Sequence, residues 1–202
     1  MSTPRRKVLD ALKVIAKRRS GEAGTKSLMM ESRGMMSNPN TTAGRALPPQ
    51  QLRYYDLGSG DGETVLGAAS IGWRSTGIEL NSTLWALSSL RRWFSPSSIR
   101  NSSNFVKGDF WQYSIRDADA VMIFGVKPLM PQIASKIGQE CQPGTFIMSY
   151  RFHVPLLNTN LVEKKSDTEY MTGTTKKEES GLNATLVYDK DEMRIYELPK
   201  QK

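Results

Sequence analysis

The sequence predicts an α/β fold built on a mostly parallel sheet that closes with an antiparallel hairpin. Three observations predict it. From Leu52 onward, short apolar runs alternate with stretches of helical periodicity. One of those runs, Ala120 to Phe124, is apolar throughout, as a central strand covered on both faces must be. Two final runs, Leu182 to Tyr188 and Met193 to Leu198, flank Asp189-Lys190-Asp191-Glu192 and read as a hairpin.

The elements follow in order. Leu52 to Leu57 reads as a short strand running into a glycine turn, and Glu63 to Ile71 as a helix through Val65, Leu66, Ala68 and Ala69. Ser75 to Leu80 is a second strand. Leu84 to Phe94 is a second helix whose Leu84, Leu87, Leu90 and Trp93 fall roughly on one face. Ser103 to Lys107 and Ala120 to Phe124 supply two more strands with at most a very short helix between them. Pro128 suits the first turn of a helix that passes Ile133 and Ile137 and stops within Gly138 to Pro143. Thr145 to Tyr150 is a fifth strand. The polar stretch 157–181 reads as a long loop.

The chain has 202 residues and a formal charge of +8. Residues 1–50 hold 10 Lys and Arg against 3 Asp and Glu; the remaining residues hold 18 against 17. The basicity is therefore concentrated in the first fifty residues, and a pI near 9.6 says little about nucleic acid binding by the rest. Val8, Leu12 and Ile15 recur at helical spacing there, amid Arg5, Arg6, Lys7, Lys13, Lys17, Arg18 and Arg19. Residues 1–50 are expected to be a basic, disordered tail or a targeting segment, and 51–202 the folded domain. Such a segment could also touch an anionic membrane or RNA weakly. No apolar run approaches the roughly 18–20 residues that span a bilayer. With one Cys and one His, a Cys/His zinc cluster is excluded, and no metal is expected.

The chemistry-bearing motif is Asp56-Leu57-Gly58-Ser59-Gly60-Asp61-Gly62, a strand passing into three glycines and then a helix. Gly58 and Gly60 permit a tight turn and the close approach of a ligand to the backbone. The G-x-G-x-G spacing is not the G-x-G-x-x-G of a dinucleotide site. Asp56 precedes the first glycine by two residues, and Asp61 lies inside the loop. Carboxylates there oppose a pyrophosphate at a helix N-terminus. They suit a ligand carrying an ammonium and a sulfonium, which favours S-adenosylmethionine over NAD. Glu79, 19 residues after Gly60, ends the second strand, where an acid can accept from both ribose hydroxyls; Asn81 follows on the same turn. Asp109, after the third strand, can accept from an adenine amine, with Phe110 packing on the ring. Three acids at three successive strand ends would open onto one crevice.

Further signatures accompany these: Ile78-Glu79-Leu80-Asn81, Gly108-Asp109-Phe110-Trp111, Phe124-Gly125-Val126 followed by Pro128 and Met130, and Arg151-Phe152 followed by Pro155. In that order and spacing, the chain resembles the mitochondrial protein-lysine methyltransferases that modify the ATP synthase c-subunit and the adenine nucleotide translocase. These are Rossmann-like class I S-adenosylmethionine-dependent methyltransferases, and the terminal hairpin fits that class. The resemblance covers about Tyr54 to Pro155 plus the hairpin.

It implies transfer of a methyl group from S-adenosylmethionine to a lysine ε-amine of a protein substrate. It carries cofactor contacts to Asp56, Gly58, Gly60, Glu79, Asn81 and Asp109, with Ser59, Asp61 and Phe110 alongside. It places Phe124, Gly125 and Val126 beside the methyl group, as positioning residues. Arg151, Phe152 and His153 are expected toward the substrate side. The implied location is mitochondrial, with the cytoplasm as the alternative. Two other readings keep the fold: methylation of RNA or a small molecule, and a non-catalytic cofactor- or RNA-binding protein.

Overall fold

The computed structural model describes residues 5–31, 51–125, 127–157 and 181–200. The expected loop 157–181 lies almost wholly outside the described residues, as does the stretch 32–50.

The elements run α1 (Arg5–Glu31), β1 (Arg53–Leu57), α2 (Glu63–Ser70), β2 (Arg74–Glu79), α3 (Ser82–Trp93), α4 (Ser97–Ser102), β3 (Ser103–Lys107), β4 (Ala120–Ile123), α5 (Met130–Glu140), β5 (Phe146–Tyr150), β6 (Thr185–Lys190) and β7 (Met193–Glu197). The seven strands form one sheet in the order β3-β2-β1-β4-β5-β7-β6. The first five pair in parallel, and β7 pairs antiparallel with both β5 and β6. This is the predicted Rossmann-like sheet with its terminal hairpin. The hairpin turn places Asp191 and Glu192 at φ 53° and 69°, the two left-handed residues that a type I′ turn needs.

Period-two alternation sorts the strand residues onto two faces. On one, Tyr55, Leu57, Val121, Ile123 and Ile147 pack with Met130, Ile133, Ala134 and Ile137 of α5. On the other, Tyr54, Ala120, Met122, Phe146 and Met148 pack with Val65 and Ala68 of α2. β4, at the centre of the sheet, is buried at every residue, as its composition demands. α5 begins at Met130, with a proline in its first turn. That proline is Pro131, while Pro128 falls in the short 3₁₀ turn Lys127–Leu129 before it.

The boundary expected at residue 50 needs correction. Val8, Ala11, Leu12 and Ile15 of α1 are fully or almost fully buried and complete the second face of the core. Their spacing i, i+3, i+4, i+7 is the stripe by which a helix docks on a sheet. The cations around the stripe are matched to the domain. Arg18 pairs with Glu197 at 3.0 Å, Arg19 pairs with Asp119 at 3.0 Å and donates to the Gly144 carbonyl, and Lys7 donates to the Asp191 carbonyl at 2.7 Å. Helix α1 therefore belongs to the fold from Arg5 to Ser20. The sequence reading missed this because the apolar stripe is narrow and lies among seven cations.

Helix α3 behaves in the opposite sense. Its leucine stripe does not face the core. Leu84, Leu87, Leu90 and Trp93 are exposed, and the only buried residue of the helix is Ser88. The helix docks through its more polar side: the Trp85 indole donates to the Phe105 carbonyl at 3.3 Å, and the Arg92 guanidinium to the Ser103 carbonyl at 2.7 Å.

Candidate active site

The carboxyl ends of β1, β2, β3 and β4 lie side by side, because the strands are parallel and adjacent. Their loops carry the predicted residues. Hydrogen bonds between loops knit this edge together. The Gly58 and Ser59 amides both donate to the Ile78 carbonyl, at 2.9 and 3.1 Å, and the Gly108 amide donates to the Glu79 carbonyl at 3.0 Å. The glycine loop, the end of β2 and the start of the Asp109 turn are thereby held as one unit.

Gly58 and Gly60 adopt φ 84° and 57°, conformations that L side chains rarely take. A Cβ built on either would meet nothing within 4 Å. The loop backbone thus borders open space at both positions, which is the cradle a cofactor needs. Gly62 serves a different end. A Cβ there would come within 2.7 Å of Ser88 Cβ and strike the Phe105 ring, so this glycine lets the start of α2 pack on α3 and β3.

Glu79 is nearly buried, and both its carboxylate oxygens are in use. Oε2 accepts from the Gly60 amide at 2.7 Å and Oε1 from the Asn81 amide at 2.8 Å. Each oxygen retains a lone pair for a hydroxyl. Asn81 caps α3, its Oδ1 accepting from the Thr83 and Leu84 amides. Asp109 caps the 3₁₀ turn Phe110–Gln112 through Oδ1, which accepts from the Trp111 amide at 3.0 Å. Phe110 lies against Trp111, ring centroids 4.6 Å apart.

Three predicted contacts sit elsewhere. The Asp56 side chain is buried beneath α2, accepting hydrogen bonds from Thr64 Oγ1 and from Tyr54 Oη at 3.5 Å. Burial pushes its pKa up to about 6, against the lowering effect of those two bonds. Asp61 faces α3, with Oδ2 paired to Arg91 at 2.7 Å. The Ser59 hydroxyl turns inward toward Gly77, where it is buried without a hydrogen-bond partner. Of the acids predicted to surround the ligand, Glu79 and Asp109 stand at the strand ends; Asp56 and Asp61 brace the start of α2 from below and from the side.

At the end of β4, Phe124 is half-buried and stacks on Tyr150 of β5, centroids 5.7 Å apart and planes 25° from parallel. Tyr150 Oη donates to Glu192 Oε2 at 2.7 Å. The Tyr150 bond, foremost, holds the Glu192 carboxyl below its usual range. A Cβ on Gly125 would lie 3.0 Å from Met130 Sδ and 3.2 Å from Ile123 Cγ2, so the turn after β4 is packed to glycine size. Val126 lies outside the described residues. Arg151 has φ 69°, and its amide donates to the Glu192 carbonyl at 2.8 Å, joining the β5 end to the hairpin turn.

Sequence reasoning missed a brace on the Asp109 turn. Lys136 of α5 is buried, and its Nζ donates to the carbonyls of Trp111 (3.3 Å) and Tyr113 (2.9 Å) and to Glu140 Oε1 (2.5 Å). Glu140 Oε2 in turn accepts from the Ile115 amide at 3.0 Å. Burial pushes the Glu140 carboxyl up, but the bonds from Lys136 and Ile115 outweigh it, and the net shift is downward. The signal available in the sequence was the Lys–Glu pair four residues apart on one helix. Tyr150 and Thr64 left no comparable sign.

The model of the ANTKMT methyltransferase domain matches residues 56–160. The lysine N-methyltransferase of the ATP synthase c-subunit from Mus musculus is 36% identical over 111 residues, which cover 55% of this chain and 44% of that protein. The adenine nucleotide translocase lysine N-methyltransferase of Mus musculus is 36% identical over 104 residues, 51% of this chain and 44% of that one. The chain thus spans about half the length of the relatives it matches. Among solved structures, an RNA methyltransferase from Salinibacter ruber in complex with S-adenosyl-L-homocysteine aligns with a TM-score of 0.52. It is 20% identical and covers 74% of this chain and 82% of that one, a likeness of fold. The family model reaches from the buried end of β1 through the glycine loop, the Glu79 and Asp109 turns and the Phe124-Gly125 turn, and the chain belongs to the ANTKMT methyltransferase domain family.

Proposed function

We propose that this domain transfers a methyl group from S-adenosylmethionine to the ε-amine of a protein lysine. The observation that carries the cofactor is the open space beside the left-handed Gly58 and Gly60, bordered by a Glu79 carboxylate already locked to the loop. The acceptor reading rests on family membership and on relatives named as lysine methyltransferases.

The residues fit the group. The Gly58 and Gly60 backbone would hold the cofactor's amino acid portion, Glu79 the ribose hydroxyls, and Asp109 with Phe110 the adenine. Asp56, buried under α2, contributes through Thr64 and the loop rather than by direct contact. The bound cofactor supplies an electrophilic methyl group on a sulfonium. The chain's part is chiefly positioning, which accounts for much of the rate in an in-line displacement. Phe124 on its Tyr150 support forms a wall for the aliphatic stem of the lysine. The carbonyls of Phe124 and Gly125 accept from the amine and aim its lone pair. The apolar wall favours the neutral amine by desolvation, which is the form that attacks.

The substrate is a protein bearing the acceptor lysine, and the expected compartment is mitochondrial, in keeping with the names of the relatives. The test is mass spectrometry of lysine methylation in organelle fractions with and without this chain, backed by transfer of labelled methyl to protein extract with and without ribonuclease. Loss of methylation at a lysine supports the proposal. Label that disappears with ribonuclease, or no lysine changing occupancy, overturns it.

A further inference from the structure

The sheet face that α5 packs on is only partly covered. The crossover from β3 to β4 holds no helix beyond the 3₁₀ turn Phe110–Gln112, so β2 and β3 lack the layer that a crossover helix usually supplies there. Register decides what is left open. Arg53 pairs with Arg74, and Thr76 pairs with both Tyr55 and Asn104. Paired residues of parallel strands point to the same face, and Tyr55 packs on the α5 side. Arg53, Arg74, Thr76 and Asn104 therefore share that face, near the amino ends of β1, β2 and β3. With Arg92 and Tyr113 they line a cleft of about 370 Å³.

The charges in this cleft are only partly answered. Arg53 is paired with Asp117 at the rim, which also accepts from Tyr55 Oη at 2.8 Å. Arg92 donates to the carbonyls of Ser103 and Arg100, at 2.7 and 2.8 Å. Those neutral partners orient its guanidinium but leave its charge uncompensated. Among the described residues, the side chains of Arg74, Thr76 and Asn104 make no hydrogen bond or ion pair. Three guanidinium groups less Asp117 leave two positive charges, and no acid among the described residues lines the cleft itself. A phosphate monoester carries about −1.5 to −2 at pH 7, which matches that balance, and its oxygens suit the N–H fork of arginine. A carboxylate would leave one charge over. A bare phosphate ion would fill little of the volume, whereas Thr76 and Asn104 offer donors and acceptors to the hydroxyls of an ester. The segment 32–50, which precedes Gln51, has no acid with which to occupy the cleft.

We propose that this cleft binds a small phosphate monoester, its phosphoryl oxygens on Arg74 and Arg92 and its hydroxyls toward Thr76 and Asn104. The site lies at the opposite edge of the sheet from the Gly58 and Glu79 crevice. Arg53 and Leu57 begin and end β1, about 13 Å apart. Both sites can be filled together, and the proposal does not depend on methyl transfer.

The test is calorimetry on the full chain at low salt with uridine monophosphate, uridine and inorganic phosphate, each with and without S-adenosylhomocysteine. The monophosphate should bind more tightly than inorganic phosphate, uridine should not bind, and S-adenosylhomocysteine should change neither result. Arg74→Gln should weaken the monophosphate by about tenfold or more. The Arg74 side chain is exposed, so this variant should melt as the parent does. Asn104→Ala should weaken the monophosphate by about threefold or more, as loss of a neutral hydrogen bond does, and leave inorganic phosphate unchanged. Lys107→Gln removes an equal charge at the other end of β3 and should alter neither. Absence of binding, equal losses in Arg74→Gln and Lys107→Gln, or a monophosphate no tighter than inorganic phosphate (an adventitious ion only) overturns the proposal. So does displacement by S-adenosylhomocysteine, which puts the ligand in the cofactor crevice, or single-stranded RNA that binds where the monophosphate does not.

Discussion

The Gly60 amide donates to Glu79 Oε2 at 2.7 Å, tying the glycine loop after β1 to the end of β2. The same carboxylate fixes the start of α3 through the Asn81 amide. One acid thus sets the shape of the cradle while retaining lone pairs for a ligand. Glu79→Ala should lower cofactor affinity by tenfold or more, since a hydrogen bond to a charged group contributes about 1.5–3 kcal/mol. Glu79→Gln keeps one acceptor oxygen and should fall between. Calorimetric titration with S-adenosylhomocysteine decides, and parental affinity in Glu79→Ala would refute the site.

Asp56 gives a pH signature. Its ordinary pKa is 3.8, and burial raises it to about 6 in the fold. Between those values the folded chain holds a proton that the unfolded chain has released. The fold is therefore favoured below the window and loses stability as pH rises through it. At 1.36 kcal/mol per unit the change is on the order of 3 kcal/mol. Asp56→Asn still accepts from Thr64 but cannot ionise, so its urea midpoint should stay flatter than the parent's across this range. Parallel curves for the two proteins would count against the buried acid.

Gly125→Ala adds a methyl group 3.0 Å from Met130 Sδ. Overpacking of this kind costs about 1–3 kcal/mol. The displaced turn should reduce kcat while leaving cofactor affinity near parental, because the glycine loop lies on a different strand. Single-turnover rates and calorimetry on one preparation separate the two effects. Weakened cofactor binding at parental kcat would place Gly125 in the wrong half of the site.

Lys136→Met removes the cation that holds the carbonyls of Trp111 and Tyr113 and leaves Glu140 unpaired. Glu140 is partly exposed and keeps its bond from Ile115, so losing the charged bonds from Lys136 should cost about 1.5–3 kcal/mol. Cofactor affinity should fall as well, because the Asp109 turn loses its brace, and Lys136→Arg should restore part of it. Denaturant unfolding and calorimetry report the two losses, and a stable variant with parental affinity would deny the brace.

Leu12→Ala tests whether α1 belongs to the domain. The side chain is fully buried against the sheet. A cavity there should cost about 2–5 kcal/mol. A tail residue would cost almost nothing, so an unchanged urea midpoint would return α1 to the solvent.

The sequence alone carried the succession of strands and helices apart from the short α4, together with the antiparallel hairpin and the glycine loop. Each of these depends on local chemistry: period-two or period-3.6 apolar patterns, turn residues, and glycines where a side chain cannot sit. It also placed Glu79 and Asp109, because an acid at the end of a parallel strand stands at one known edge. The tertiary structure alone decided which way the amphipathic helices face. A stripe gives a helix a side but not a neighbour. The narrow stripe of α1 found the sheet, and the broader one of α3 was left outside as its polar side docked. It likewise decided that Asp56 and Asp61 would be claimed by Thr64 and Arg91. Those partners come from α2 and α3, and only packing brings them within reach.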